Sequence, residues 1–271
     1  MKFKSTVDRV VGRLPEADKQ EVAKEMEERF LTQYASKGPE REKLNWERKA
    51  IRLADTATNQ LLQEYSEKPF TFPEKNIYIL DRKDWTGDVN TAGIYLPRIQ
   101  SIFMQPRQNK LNFYKNLFHE MLHAKSYYAV QVPTQGQEAI RDYRMGLVVR
   151  TRNNEKDYFR SLNEGLTEEL TKRYASRTFG DEMFRDEQAV DFAYSGERNA
   201  LQQLCVKLSH RDEELYPSPK AVFDAFAKAM LNGDVLKLGR AIDQTFGKGT
   251  FRKIGEAKDD SVQLQKIVNS L

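Results

Sequence analysis

The stretch Leu111–Tyr128, LNFYKNLFHEMLHAKSYY, holds His119, Glu120 and His123 in the spacing H-E-x-x-H. Residues four apart lie one above the other on an α-helix, so both imidazoles project from the same face and can grip one metal ion. Glu120, one step round the helix, is within reach of a water on that ion. The flanks ask for a helix. Leu111, Tyr114, Leu117, Phe118, Met121 and Leu122 recur at spacings of three and four, and no Gly or Pro falls between Pro106 and Pro133. This stripe, continued by Lys125 or Tyr128, predicts a rigid helix packed on one side. Of the three histidines in the chain, only His210 lies outside the motif. Imidazole and carboxylate donors in this arrangement favour zinc, a d¹⁰ ion that takes both in a tetrahedral shell.

A catalytic zinc needs a third protein ligand and leaves its fourth position to water. The candidate lies in Ser161–Tyr174, SLNEGLTEELTKRY, where Phe159, Leu162, Leu166, Leu170 and Tyr174 mark a second amphipathic helix and Glu164 and Glu168 are four apart. The stretch Asn163-Glu164-Gly165-Leu166-Thr167-Glu168, downstream of an H-E-x-x-H helix, resembles the glutamate helix of gluzincin zinc metallopeptidases. The resemblance implies that Glu164 is the third zinc ligand and that Glu168 hydrogen-bonds His119, fixing its tautomer and raising its basicity. It further implies hydrolysis of a peptide or protein substrate by a zinc-activated water, with Glu120 accepting the proton and returning it to the departing amine. No signature for a free amine or carboxylate stands out, which favours endopeptidase action. Gluzincins complete the oxyanion site with a tyrosine or histidine. Tyr194 is the first choice because it follows the glutamate helix at a helix start, with Tyr158, Tyr174 and His210 behind it.

Spacing argues against other third ligands. A metzincin would need a glycine and a histidine where this chain has Ser126 and Ala129. Glu138 and Asp142 lie nearer to His123 but lack the Asn-Glu context, and His210 on a leucine-rich helix reads as structural. The 41-residue step from His123 to Glu164 predicts that Gln131 to Asp157 forms an inserted loop or helix.

Composition fits a soluble globular protein: 271 residues, 39% apolar, 31% charged, mean hydropathy −0.73. No run approaches the roughly 20 apolar residues of a membrane-spanning helix. The start MKFKSTVDRVVGRLPEADK has no apolar core of a signal peptide, and a cytoplasmic location is expected. Cys205, the one cysteine, sits among Leu201, Leu204 and Leu208 as a core residue, so no intramolecular disulfide is possible. Nine basic and three acidic residues fall between Arg98 and Arg152, a local excess of +6 within a net charge of +4. Because these charges are dispersed, a solvated surface is the simpler reading, and nucleic-acid binding is disfavoured for want of a recognised motif.

The expected fold is α+β: a mostly helical, zincin-like arrangement with a small mixed or antiparallel sheet beside the metal helix and a helical C-terminal subdomain. Residues 1–68 read as an N-terminal helical region, with Val7, Val11 and Leu14 in a first helix, a second through Met26 and Phe30, and a third over Glu40–Glu67. Residues 69–271 read as the catalytic domain, in which 69–152 bear the sheet and metal helix and 153–271 the glutamate helix and those after it. Asn76–Leu80, Gly93–Leu96 and Ile99–Met104 are the strand candidates, the last two a hairpin. Later helices are expected at Glu187–His210, Pro219–Asn232, Val235–Phe246 and Asp260–Leu271. The rival reading is a non-catalytic zinc-containing binding or regulatory module using its basic surface. The full set of His119, Glu120, His123 and Glu164 argues against it, since a structural zinc site has no use for Glu120 and fills its fourth position with protein.

Overall fold

A computed structural model of the chain describes residues 7–32, 40–85, 91–107, 109–132, 140–151, 156–188, 191–257 and 260–271. In chain order they form β1 (Arg9–Val11), α1 (Glu16–Thr32), α2 (Asn45–Glu64), β2 (Ile77–Ile79), β3 (Gly93–Leu96), β4 (Ser101–Met104) and α3 (Lys110–Lys125). There follow β5 (Tyr128–Gln131), β6 (Arg141–Met145), β7 (Val148–Arg150), β8 (Asp157–Tyr158) and α4 (Arg160–Ala175). The chain finishes with α5 (Ser195–Arg211), α6 (Pro219–Asn232), α7 (Val235–Phe246), α8 (Thr250–Gly255) and α9 (Ser261–Asn269). The fold is thus α+β, dominated by helices with two small sheets. No helix among the described residues is long and apolar enough to cross a membrane. Two compact units are distinguished, Met1–Lys125 with Leu170–Asp191, and Ser126–Glu169 with Phe192–Leu271.

In the first unit α2 packs on α3. Its buried stripe is Ala50, Ile51, Ala54, Ala57, Leu61 and Leu62. Glu47, fully buried at the third helical position, reaches back to accept the Leu44 N–H at 2.7 Å and pairs with Arg41, closing the amino end. Strands β2 and β4 run parallel while β3 pairs antiparallel with β4, in the order β2-β4-β3, so β3 is an edge. The expected hairpin is therefore present. The expected first helix is not: Arg9–Val11 is a strand, because three apolar residues at helical spacing carry too little local preference to hold a helix against sheet pairing.

A charged side chain besides Glu47 is enclosed in this unit. Lys125 closes α3 and donates to Asp55 Oδ1 at 2.7 Å and Asn59 Oδ1 at 2.8 Å on α2, with its ammonium 5.5 Å from the Phe70 ring centre. The same two oxygens accept the Phe72 N–H at 2.9 Å and the Phe70 N–H at 3.2 Å, which fixes the Pro-bounded segment after α2. Phe30 meets both Phe70 and Phe72 edge-on.

In the second unit β5, β6, β7 and β8 follow one another as an antiparallel run. This corrects the expected loop or helix over Gln131–Asp157, of which residues 133–139 and 152–155 lie outside the described part. The strands are concealed in sequence because charged side chains of β6 and β7 pair within the sheet or turn inward. Asp142 accepts from Tyr128 Oη at 2.7 Å and from Arg150 at 2.9 Å, and Arg150 also reaches Asp157 at 3.0 Å. Arg144 turns inward and donates to the carbonyls of Ala229 and Gly233 at the end of α6 (2.9 and 2.6 Å), as well as to Gly146 (2.9 Å). Ala229 O also accepts the Gly233 N–H at 3.2 Å, so the guanidinium adds a charged donor at the carboxyl end of α6, where the helix dipole favours a cation. Its amino end is closed by Ser218, whose Oγ accepts the Ala221 N–H at 3.2 Å, followed by Pro219.

Candidate metal centre

Helix α3 exceeds the one-sided packing expected of it. Beyond its first residue, Lys110, all its faces are covered except the line through Asn112, Asn116 and Glu120, which keeps partial exposure. His119 and His123 are 7% and 6% exposed. Their Nε2 atoms stand 3.1 Å apart, and the rings meet edge to face at 72°.

On α4 every residue from Ser161 to Thr171 is buried except Glu164, which is partly exposed. Asn163, fully buried, uses its Oδ1 to accept the Leu147 N–H at 2.9 Å, tying the β6–β7 turn to the first turn of α4 next to Glu164. That turn needs Gly146, whose φ is +57° and where any Cβ would stand 2.6 Å from the same Asn163 oxygen. Gly165 matters for a different reason: a Cβ there would meet Glu197 Cβ at 2.8 Å and its carbonyl carbon at 2.9 Å, so α4 and α5 approach through the missing side chain. The Asn-Glu-Gly triplet thus has a packing role on both sides of the glutamate.

His119, His123 and Glu164 form one group: their ligand atoms all lie within 4.8 Å of one another. Among the described residues it is a set of three donors of the kinds that hold a metal ion. The donors fit such an ion. Two nitrogens at 2.0–2.1 Å from a tetrahedral centre stand about 3.3 Å apart, close to the 3.1 Å between these rings, and a carboxylate beside two neutral imidazoles adds a charge that a cation balances.

No family model, curated protein or solved structure matches this chain. The site is read from its own geometry.

The remaining expected residues are placed as follows. Glu120 Oε2 accepts the backbone N–H of Tyr95 on β3 at 2.9 Å. Glu168, 2% exposed, accepts the Ala193 N–H at 2.7 Å through Oε1. It therefore anchors the segment that presents Tyr194, the residue that opens α5 in a left-handed conformation (φ 53°) and remains 40% exposed. Tyr158 lies in β8, and Tyr174 is engaged with Glu64 at 2.7 Å. His210 is exposed near the end of α5, away from any role in the group above. Of the other third ligands weighed, Asp142 is held by Tyr128 and Arg150, and Glu138 lies outside the described residues.

Sequence reasoning gave Asn163 and Lys125 no role of their own and passed over Gly93, which faces Glu120. Asn163 was visible only as part of a motif. Lys125 was visible as a cation at a buried helix position, a conflict that signals an enclosed partner.

Proposed function

We propose that the chain is a metal-dependent hydrolase of peptide bonds, with one zinc ion held by His119, His123 and Glu164. The observation that carries this reading is the convergence of three ligand groups within 4.8 Å, with a fourth, acidic side chain at the next position of the same helix. Bound there, zinc would supply Lewis acidity and make a water acidic enough to ionise near neutral pH. Glu120 would take the proton and hand it on to the departing amine. The Tyr95 amide holds one oxygen of that carboxylate and so limits its rotation. Glu168, by fixing Ala193, restrains Tyr194 as donor to the developing oxyanion. His119 would take its orientation from Glu168, as the resemblance to gluzincins implies. An acid at the helix position next to the donors has a purpose in catalysis that a structural ion lacks.

Metal analysis combined with peptide-library cleavage tests the reading. Wild type is expected to carry one zinc per chain, to lose cleavage on chelation and to regain it with zinc. Glu164→Gln should lose the metal. A metal-loaded wild type that cleaves no peptide in the library removes the proposal. Glu168→Gln is expected to bind zinc about 10- to 100-fold more weakly, as found for groups that orient a metal-bound imidazole. Competition with a chelating dye reads this directly, and an unchanged affinity would separate Glu168 from the site.

A further inference from the structure

We infer that Gly93 is a positioning residue for Glu120: the absence of a side chain on this edge strand lets the carboxylate lie against β3 and be held by the Tyr95 amide. The catalytic consequence rests on the reading of Glu120 as proton acceptor, but the contact itself does not.

The register of β3 sets up the contact. Ala92 O accepts the Gln105 N–H at 2.9 Å, and Gly93, Ile94, Tyr95 and Leu96 stand opposite Met104, Phe103, Ile102 and Ser101. In an antiparallel pair, hydrogen-bonded and non-bonded positions alternate, so Ile94 and Leu96 face β4 with their amides while Gly93 and Tyr95 direct theirs off the sheet edge. The Tyr95 N–H meets Glu120 Oε2 there at 2.9 Å. To reach the Tyr95 amide from α3, the Glu120 side chain passes its methylenes over the strand two residues away. Gly93 occupies that position. A Cβ built on it stands 2.9 Å from Glu120 Cγ and 2.7 Å from Met104 Sδ, both closer than real Cβ contacts come. Met104 is fully buried and Glu120 partly exposed, so the thioether must shift within the core while the Glu120 side chain is pushed off the strand. Gly93 has an ordinary, negative φ, so its lack of a side chain serves clearance and not backbone conformation.

The contact makes the base of the proposed reaction a property of two elements. The helix sets where Glu120 starts, and the strand edge sets where its carboxylate stops. Gly93→Ala leaves the three metal-binding side chains unaltered and presses on the Glu120 side chain and on Met104.

Amide hydrogen exchange followed by NMR tests the contact without reference to catalysis. In wild type the Tyr95 amide is expected to exchange slowly. In Gly93→Ala and in Glu120→Ala it should exchange at least tenfold faster, while the Ile94 amide, bonded to β4, keeps its rate. Unchanged Tyr95 protection in Gly93→Ala overturns the inference. A double-mutant cycle covers the case in which Gly93→Ala folds poorly. The clash with Met104 is common to both backgrounds, so Gly93→Ala should lower Tm less, or permit folding, when Glu120 is already Ala. Equal loss in both backgrounds, or failure to fold in both, assigns the glycine to Met104 alone and overturns the inference. For hydrolysis, Gly93→Ala is expected to lower kcat by about 10- to 1000-fold, with KM and zinc affinity within threefold of wild type. A fall in zinc affinity in step with kcat would show general disruption and also count against it. Absence of peptide cleavage by wild type would remove the proposed function and leave the exchange result standing.

Discussion

Glu120→Gln retains zinc and loses hydrolysis by about 10²–10⁴-fold, the range that a positioned general base supplies. The structure makes this substitution informative. A glutamine can keep its carbonyl oxygen on the Tyr95 N–H, so the contact between α3 and β3 survives and the metal ligands His119, His123 and Glu164 are untouched. What is lost is the capacity to take a proton. Zinc content by atomic absorption and kcat on the best library peptide, measured on the same preparations, give the two readouts. Hydrolysis at the wild-type rate would exclude Glu120 as the base, and loss of the metal together with activity would make the variant a structural lesion.

The largest effect on stability is expected at Lys125. Removing the ammonium with Lys125→Ala leaves Asp55 charged and without its cationic donor inside the unit, a loss of about 3–5 kcal/mol for a broken enclosed ion pair. The double variant Lys125→Met with Asp55→Asn should recover more than half of that loss, since no charge remains and the amide oxygen can still accept the Phe72 N–H. Urea midpoints at a common slope compare the three proteins. Additive losses would mean that the pair contributes nothing as a pair.

Titration adds a second signature. Burial lowers the Lys125 ammonium from 10.5 to about 8, with Asp55 pulling the other way. Between pH 8 and 10.5 the unfolded chain therefore holds a proton that the folded chain has released, so this group's contribution to stability rises with pH across that window and is flat below it. Lys125→Met should abolish the rise.

How far the sequence could be read depended on whether the information was local. Helix α6 runs over Pro219–Asn232, as its punctuation predicts, because Ser218, Pro219 and Gly233 set its ends through contacts within a few residues. The metal helix was legible for the same reason, the His pair being four apart on one element. Glu164 was reached only through resemblance to a motif; its 41-residue distance from His123 carries no geometric constraint, and folding brings the donors together. The strands β5–β8 escaped notice because Asp142, Arg144 and Arg150 look like surface residues until their partners, as distant as Ala229 and Gly233, are known. Gly93 offered no signal either, since its importance is a clearance to a side chain 27 positions away.

The guanidinium of Arg144 also governs how this part of the chain comes apart. Because a β6 side chain donates to the last carbonyls of α6, that helix cannot fray at its carboxyl end without stripping the arginine of its acceptors, and the β6–β7 turn cannot peel away without withdrawing the cation from the helix end. Two elements separated by more than eighty residues are thereby made to open as one cooperative piece, which lends rigidity to the turn that Asn163 grips beside Glu164.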